Sequence, residues 1–512
     1  MVHPSREMST SLNGNGNGNG AHSVIRQVQK KAAKAPAPAS PHGVKESCVT
    51  FRTADGVELS GAPTRVTRHA VFFELYSPST TPRFSETLEE FKIILQEQAV
   101  YSGRATVRNV LDAGTKIVCE TTLRESDWMD LDPVTTLQHD GKIAGEFKIF
   151  LKEWQKLYKV SPEFKVVIAD MQTFLHDLRL WLERAELTLR TLPKEERLKR
   201  ELAIAAQSEP TIVPAIRNFF ERFEELSSRL DEDLRPAHYT FGKRSIHPLL
   251  LCSPFVHRTF NKPLGYAGDY EMVNMMFRNP FEGESLFAKM INLYALQLPP
   301  IIAHRNRIQY LQKKLGQESL RLTVRNRDTR VFNLGCGPAH EVQRFLAEDE
   351  LANHTNFTLA DFNQETLKRT GNILNGIKQK NSRRGSVQMV VQSVQQLLKS
   401  AGRNVEYSRR DQHDVVYCAG LFDYLTDQVC RQLMDVFYAM LAPGGLLIAT
   451  NVDRHPAQYQ MECFLEWHLV HRNEEKMRTL VPRNADFQNA SIKRDPTGVN
   501  IFIEVRKPGG EE

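Results

Sequence analysis

The stretch from Val331 to Val342 constrains the fold of this chain more than any other part of the sequence. It reads VFNLGCGPAHEV, in which a short apolar strand runs into Gly335 and Gly337 and residues at helical spacing follow. Pro338 suits the first turn of a helix, where its missing N–H would have no partner in any case. A glycine turn between a strand and a helix lets the backbone approach a ligand closely and directs free N–H groups toward it. The stretch therefore predicts a ligand site in an α/β fold.

Further strand-like stretches follow in the C-terminal part of the chain. They are Phe357–Asn363, Val387–Val391, Asp414–Tyr424, Leu441–Thr450 and Ile501–Val505. The second strand ends in Asp361, 24 positions after Gly337 (361 − 337). A carboxylate there can accept both hydroxyls of an adenosyl ribose, because each hydroxyl donates and an ionised Asp accepts on two oxygens. Gln392 and Ser393 follow the third strand, where polar side chains can meet an adenine edge.

Two classes of cofactor bind at such a turn. A dinucleotide fingerprint needs a third glycine at position 340, where this chain has His340. The glycine turn, the acid after the second strand and the Pro-Gly-Gly run at 443–445 instead occur in the order typical of the other class. Over roughly residues 325–505 the chain resembles the class I S-adenosylmethionine (SAM)-dependent methyltransferases. An inactive Rossmann-like scaffold is the alternative interpretation.

The resemblance implies SAM as cofactor and a set of residues that hold it. These are Asn333, Gly335, Cys336, Gly337, Asp361, Phe362, Gln392, Ser393 and Gly420. Asn333 stands where the family has an acid, and Ala339 stands in place of a third glycine. An Asn can still accept a hydrogen bond from the methionine ammonium through its amide oxygen, but it lacks the charge.

The stretch 261–272, NKPLGYAGDYEM, combines two glycines, two tyrosines and two acids. We expect its Gly-Tyr-Ala-Gly-Asp loop to form a lid over the cofactor. With a C-terminal helix expected from Glu462 to Arg472, residues 240–505 resemble the bacterial methyltransferases of 3-hydroxypalmitic acid methyl ester biosynthesis. The resemblance implies a small acyl substrate, a hydroxylated fatty acid whose carboxylate becomes a methyl ester.

A carboxylate acceptor is ionised at neutral pH and needs no general base, so positioning supplies most of the catalysis. The polar groups best placed to shape the site are Tyr266, Asp269 and Tyr270 in the loop and Asp423 and Tyr424 after the fourth strand. His340 is a candidate base that we expect to be exposed. Arg472 is a candidate for orienting an acceptor carboxylate, although an arginine late in a helix is more often a surface residue.

Residues 46–135 predict a small β-barrel. Val71–Tyr76, Ala105–Val110 and Lys116–Thr121 are rich in β-branched or aromatic residues and are bounded by turn residues. This part resembles a PilZ domain, which implies cyclic di-GMP as a ligand. Arg65 and Arg68 are separated by two residues where that motif has three, and Leu111 replaces its serine in a stretch that keeps Asn109 and Gly114. We therefore expect weak binding or none, and a barrel that serves for contacts.

The remaining segments complete the domain organisation. An Asn-Gly repeat and an Ala-Pro run within residues 1–45 predict a disordered tail. Residues 136–320, which carry the loop 261–272, read as a helical region, and residues 321–512 as the methyltransferase domain. Apolar stripes at helical spacing predict helix–helix core or a homodimer contact; they comprise Phe147–Tyr158, Ile168–Leu182 and Ile216–Leu230.

The composition of the 512 residues is that of ordinary soluble protein, with 41% hydrophobic and 25% charged residues. The net charge of +6 is spread along the chain, which disfavours nucleic acid as an obligatory partner. The seven cysteines form no C-x-x-C pair, so we expect no metal site of the common zinc type and a reducing, cytoplasmic setting. Neither a signal peptide nor a membrane span is expected. Two other functions stay open: methylation of another small metabolite, and a regulatory protein that binds SAM without turnover.

Overall fold

The structure is a computed structural model that describes residues 47–76, 78, 80–95, 98–112, 116–129, 160–401 and 412–509. The tail predicted for residues 1–45, the stripe Phe147–Tyr158 and Gly114 of the PilZ-like motif lie outside these residues.

Six antiparallel strands form a closed barrel in the order β1-β2-β3-β6-β5-β4. They are β1 (Cys48–Arg52), β2 (Glu58–Val66), β3 (Ala70–Tyr76), β4 (Thr87–Leu95), β5 (Gln98–Asp112) and β6 (Lys116–Leu123). Alternate residues of β6 are buried, as the period of two in a strand requires. Phe51, Phe73 and Phe91 pack against one another inside, with ring centroids 5.4 to 5.9 Å apart. The small antiparallel barrel expected from the sequence is confirmed.

Between residues 160 and 297, which the structure describes without a gap, six helices share one apolar core. They are α1 (Pro162–Leu187), α2 (Lys194–Ser228), α3 (Arg235–Leu250), α4 (Pro254–Asn261), α5 (Tyr270–Phe277) and α6 (Leu286–Leu296). The stripe on α1 buries Ile168, Met171 and Leu175, and the stripe on α2 buries Ile216 and Phe220. Both stripes therefore form helix–helix core. The homodimer contact stays a prediction.

A seven-stranded sheet forms the third part, in the order β12-β13-β11-β10-β7-β8-β9. Its strands are β7 (Thr329–Leu334), β8 (Thr355–Asp361), β9 (Val387–Val391), β10 (His413–Cys418), β11 (Leu441–Val452), β12 (Ala490–Arg494) and β13 (Asn500–Arg506). Strands β9, β8, β7, β10 and β11 are parallel to one another, and β13 runs antiparallel to both β11 and β12. Each strand-like stretch of the C-terminal part thus contains a strand.

Helices cover both faces of this sheet. They are α7 (Pro299–Thr323), α8 (His340–Glu348), α9 (Gln364–Lys380), α10 (Val394–Ala401), α11 (Asp427–Ala439), α12 (Gln458–Phe464) and α13 (Glu474–Arg478). Leu311 and Leu315 of α7 join Val331 and Phe345 in the core on one face. Met461 and Phe464 of α12 instead join the core of the helical region, so α12 ties the two regions together.

The strand order reverses between β7 and β10. From β7 the chain adds β8 and β9 on one side, then returns to place β10 on the other side. In an open α/β sheet, ligands bind outside the carboxyl ends of the strands at such a point. Here Leu334 and Cys418 are the last residues of the two strands, and Gly335 and Ala419 follow them.

Two boundary expectations were wrong. The helix after the glycine turn begins at His340, so Pro338 lies in the turn and not in the first helical turn. The fourth strand ends at Cys418, ahead of a short 3₁₀ helix at Phe422–Tyr424, so Asp423 and Tyr424 follow the strand as expected. The helix expected from Glu462 to Arg472 ends at Phe464, because the chain leaves helical geometry soon afterwards, with φ of 48° at Glu466.

In the part of the chain that the structure describes, no single helix has the length and apolar composition to cross a bilayer. The pair Leu286–Leu296 and Pro299–Thr323 meets both criteria jointly, with a 61° bend between its members.

Candidate active site

One cavity lies at the carboxyl edge of the sheet, where β7 and β10 end. Its wall includes most residues that the sequence singled out: Tyr266, Tyr270, Asn333, Gly335, Cys336, Gly337, Asp361, Phe362, Gln392, Ser393, Gly420 and Tyr424. The fold therefore brings together residues that are spread over nearly 160 positions of the chain (424 − 266). Of the site residues predicted from the sequence, Asp269 and Arg472 lie outside this wall.

The glycine turn that follows β7 runs through left-handed backbone. Gly335 and Gly337 have φ of 71° and 51°, and Ala339 has φ of 50°. Residues with a Cβ rarely adopt this backbone region, which explains the two glycines. Ala339 adopts it at the cost of some strain, which a third glycine would avoid. The N–H groups of Gly335 and Cys336 both donate to the carbonyl of Ala360, at 2.8 and 3.1 Å. The turn is thereby tied to the end of β8.

Asp361, the last residue of β8, is buried beside this turn. Its Oδ2 accepts from the N–H of Gly337 and its Oδ1 from the N–H of Asn363, each at 3.0 Å. Burial raises the pKa of the carboxyl, and the two backbone donors oppose that shift. Each carboxylate oxygen has two acceptor sites, so one donor per oxygen leaves room for a ligand hydroxyl on each.

A buried polar cluster lies under the turn. Asn333 of β7 donates through Nδ2 to Oε1 of Glu341 at 3.4 Å, and the hydroxyl of Tyr417 donates to the same oxygen at 2.7 Å. Burial raises the pKa of Glu341, while the Tyr417 hydrogen bond lowers it. The Oδ1 atom of Asn333 accepts from no residue among those described. Sequence reasoning missed Glu341, whose signal was an acid in the first turn of a helix that opens on a ligand site.

Arg307 of α7 faces the same cavity and is 6% exposed. Its Nη2 donates to Nδ1 of His304 at 2.8 Å, and its Nε finds no partner within the described part of the chain. Burial, together with the charge of Arg307, lowers the pKa of His304 well below its usual value. The ring is therefore neutral and can accept the hydrogen bond from Arg307. Asp423 and Glu341 act on Arg307 as negative charges from further away. The result is a buried cation with donor capacity left for a ligand.

Gly420 lies two residues after β10, at a position where Arg307 leaves little room for a side chain. A Cβ at Gly420 would lie 2.8 Å from Nη2 of Arg307, and the residue has φ of 86°. The signal for Arg307 in the sequence was an arginine on the apolar face of α7, one turn from Ala303 and Leu311. We did not use it.

His340 is not exposed, contrary to expectation. It is half-buried on the cavity wall, and its ring lies against Phe277 with centroids 4.5 Å apart. Burial, with a smaller effect from the charge of Arg344, lowers its pKa to about 4. The ring is therefore neutral at physiological pH. Its Nε2 makes no hydrogen bond to a described residue.

The Gly-Tyr-Ala-Gly-Asp loop lies along the cavity between α4 and α5. The ring of Tyr266 packs edge-on against Phe362 with centroids 5.1 Å apart. Gly268 has φ of 81°, and a Cβ there would lie 2.9 Å from the hydroxyl of Tyr424. That hydroxyl accepts from the indole N–H of Trp467 at 2.9 Å. The loop thus packs closely against the polar turn that follows β10.

Asp269 has a structural position. Its Oδ1 accepts from the N–H of Met272 at 2.8 Å, which caps α5, and from Nε of Arg258 at 3.0 Å.

Arg472 was predicted to lie at the surface or to bind an acceptor carboxylate. It is instead completely buried, away from the cavity wall. Its guanidinium donates to Asp427, Asn451 and the carbonyls of Phe422 and Leu425. It therefore holds the turn after β10 in place.

Two side chains of the barrel also reach the cavity. Arg83 and Phe84 precede β4 and form part of its wall. Arg65 and Arg68, the arginines of the PilZ-like motif, lie near acids instead: Arg65 is 3.8 Å from Asp233 and Arg68 is 3.2 Å from Glu125. Cyclic di-GMP binding stays a prediction of weak affinity or none.

The rest of the cavity wall is largely apolar. It includes Met272, Val273, Met276, Ile308, Met461 and Leu469. Methionine side chains are flexible and polarizable, so such a wall adapts to apolar ligands of varied shape.

Comparison with known proteins gives fold likeness only. No protein-family model matches this chain, and no curated protein matches it. A possible exported protein from Bordetella parapertussis is 16% identical in a solved structure, covering 62% of this chain and 100% of that one, with a TM-score of 0.39. Magnesium protoporphyrin IX methyltransferase from Synechocystis PCC 6803 is 10% identical over 40% of this chain and 84% of that one, with a TM-score of 0.28. An O-methyltransferase family protein from Burkholderia thailandensis is 12% identical over 55% and 75%, with a TM-score of 0.29. At such TM-scores these likenesses carry no argument about function.

Proposed function

We propose that this chain is a SAM-dependent methyltransferase that forms the methyl ester of a small carboxylic acid, in line with the hydroxylated fatty acid that the sequence resemblance implies. The observation that carries the proposal is a single cavity in which two features meet. The cavity is lined by the glycine turn and Asp361, and also by the buried guanidinium of Arg307. The first suits an adenosyl cofactor, and the second suits an acceptor carboxylate.

The residues present fit the cofactor. The carboxylate of Asp361 has acceptor capacity for the ribose hydroxyls, and the Oδ1 of Asn333 is a buried acceptor without a described partner. A buried polar atom left without a hydrogen bond costs free energy, so a donor such as the methionine ammonium would stabilise Asn333. Gln392 and Ser393 would meet the adenine edge.

S-adenosylmethionine, when bound, supplies an electrophilic methyl group on a sulfonium. The task of the protein is to align an acceptor oxygen with that group and to exclude water. The guanidinium of Arg307 can hold an acceptor carboxylate through charge-assisted hydrogen bonds. A carboxylate is ionised well above its pKa, so no side chain has to remove a proton.

The apolar wall defines the rest of the acceptor. An acid held at Arg307 would extend its chain along Met272, Met276 and Met461. Burying the methylene groups of such a chain contributes about 0.8 kcal/mol for each CH₂. An acid with an acyl chain therefore fits this cavity better than a fully polar acid does.

The test is transfer of label from methyl-labelled SAM to a 3-hydroxy fatty acid, with mass spectrometry of the product. We expect a methyl ester, and we expect Arg307→Met to raise the KM of the acid more than tenfold, since it removes charge-assisted hydrogen bonds. Arg325→Gln is the matched control, because Arg325 is exposed and lies two residues beyond the end of α7. A methyl ether at the hydroxyl, or no transfer to any acid, would contradict the proposal. Loss of SAM affinity in Arg307→Met with an unchanged KM for the acid would assign Arg307 to the cofactor instead.

A further inference from the structure

A segment of the barrel, residues 80–87 between β3 and β4, lies against the cofactor end of the cavity. The guanidinium carbon of Arg83 is 4.2 Å from the ring centroid of Phe362, within cation–π distance. Phe362 directly follows Asp361, and Tyr266 packs against the edge of the same ring. The positive charge of Arg83 also acts on Asp361 and on Tyr266. A residue of the N-terminal barrel is thus part of the wall around the acid that follows β8.

The barrel holds Arg83 in place through its own contacts. Nη2 of Arg83 donates to Oδ2 of Asp55 at 2.7 Å. The backbone of the segment is fixed by Glu86, a buried carboxylate that accepts from the N–H groups of Arg83 and Ala54 at 2.6 and 2.8 Å. An arginine restrained in this way loses little additional entropy when a ligand binds beside it.

The same segment is also hydrogen-bonded to the elements that surround the cavity. The N–H of Thr87 donates to the carbonyl of Gly265, in the loop before α5, at 2.7 Å. The hydroxyl of Ser85 donates to the carbonyl of His468 at 2.7 Å, and the N–H of His468 donates back to that hydroxyl. The barrel therefore fixes both the loop with Tyr266 and the chain that follows α12.

We propose that the barrel completes the cofactor site, with Arg83 as a positioning residue that holds Phe362 against the adenosyl group and places a positive charge beside the ribose-binding Asp361. The proposal rests on the proposed function. It assigns the barrel a direct part in cofactor binding without any nucleotide of its own. Arg83 acts through Phe362 and Asp361, so its loss should weaken cofactor affinity and leave the chemical step intact.

The experiment measures binding of SAM and of S-adenosylhomocysteine to the full chain by calorimetry, beside thermal melting. Arg83→Met should raise both dissociation constants about tenfold, while turnover at saturating SAM stays within about twofold of the wild type. Arg83→Lys, which keeps the charge but loses the planar stacking, should lie between Met and wild type. The matched control is Arg104→Met, since Arg104 is an exposed barrel arginine paired with Glu89; it should leave binding unchanged.

A double-mutant cycle tests the route through the ring. Arg83→Met should raise the dissociation constant of SAM by a smaller factor in a Phe362→Leu background, less than half of the factor in the wild type. The reason is that the ring which Arg83 holds is then gone. Two results would overturn the positioning role. One is that the effects of the two substitutions on the binding free energy simply add. The other is that Arg83→Met lowers the free energy of unfolding by as much as it lowers the binding free energy. A wild-type chain that binds SAM while Arg83→Met binds equally well would overturn this inference alone. A wild-type chain that binds neither ligand would overturn the proposed function and this inference with it.

Discussion

The carboxylate of Asp361 accepts a hydrogen bond from the backbone N–H of Gly337 at 3.0 Å. This contact joins the end of β8 to the glycine turn after β7, 24 residues earlier in the chain (361 − 337). The second oxygen of Asp361 accepts from the N–H of Asn363, the N-cap residue of α9. One acid therefore orients the turn and keeps acceptor sites directed at the cavity.

Asp361→Asn should weaken SAM binding by about ten- to a hundredfold. The amide keeps the shape of the side chain, but it replaces one acceptor by a donor and removes the charge, and a hydrogen bond to a charged group is worth roughly 1.5–3 kcal/mol. Calorimetry with the full chain measures the change. Asp328→Asn, at an exposed position just before β7, is the control and should bind as the wild type does. An unchanged affinity in Asp361→Asn would contradict the ribose assignment.

The sheet and the barrel were predictable because their signals are local. Val387–Val391 matches β9 at both ends, and Asp361 ends β8 as expected. A short apolar run bounded by turn residues is a local signal for a strand, and a glycine turn marks where a ligand can approach. The helix boundary at His340 was missed because Ala339 takes left-handed geometry, which a Pro-Ala sequence does not indicate.

The polar part of the cavity was harder to predict, since it depends on contacts between distant segments. Arg83 lies 279 positions before Phe362 (362 − 83), and nothing near either residue indicates the other. Asp269 was assigned to the site from its place in the loop 261–272, and Arg472 from the ability of a guanidinium to hold a carboxylate. Both have partners that the sequence could not show: Arg258 and the α5 backbone for Asp269, and Asp427 for Arg472.

The rate of methyl transfer should not vary with pH between 6 and 8. His340 has its pKa lowered to about 4 by burial and by Arg344, so it stays neutral through this range, and a carboxylate acceptor stays ionised. His340→Gln should change turnover less than about threefold. The measurement is a pH–rate profile of both proteins with a 3-hydroxy fatty acid. A rate that rises through pH 6 to 7 in the wild type and becomes flat in His340→Gln would identify a base and contradict the mechanism.

Asp269→Asn should lower both stability and turnover by loosening the loop that carries Tyr266. Asp269 is 2% exposed and its partner is the Arg258 guanidinium, so neutralising it leaves a partly buried cation without its counter-ion. The expected loss in the free energy of unfolding is about 1.5–3 kcal/mol. Urea unfolding and steady-state kinetics measure the two effects.

Arg258→Gln provides the partner variant for Asp269→Asn. The two substitutions remove the same ion pair, so the double variant should be little less stable than either single variant. If their effects simply add, the pair is not what holds the loop, and Asp269 would act at the site by another route.

Stability should also depend on Glu224, the residue of α2 that binds the start of α12. Its carboxylate accepts from the N–H groups of Tyr459 and Gln460 at 3.1 and 2.7 Å. Burial outweighs these donors and raises the pKa of Glu224 to about 7. The folded chain therefore binds this proton more tightly than the unfolded chain does. The resulting stabilisation is complete below the ordinary pKa near 4.5, declines as pH rises, and is lost above about pH 7.

Glu224→Gln should remove this dependence, because the amide keeps an acceptor oxygen and never ionises. Relative to the variant, the wild type should lose on the order of 2–3 kcal/mol of unfolding free energy between pH 5 and pH 8, at about 1.36 kcal/mol for each pH unit of the shift. Urea unfolding of both proteins across that range gives the difference. Glu221→Gln, at an exposed position one turn earlier on α2, is the control and should follow the wild type. A gap between wild type and Glu224→Gln that stays constant from pH 5 to pH 8 would mean that Glu224 is ionised throughout, held charged by the two backbone donors at the start of α12.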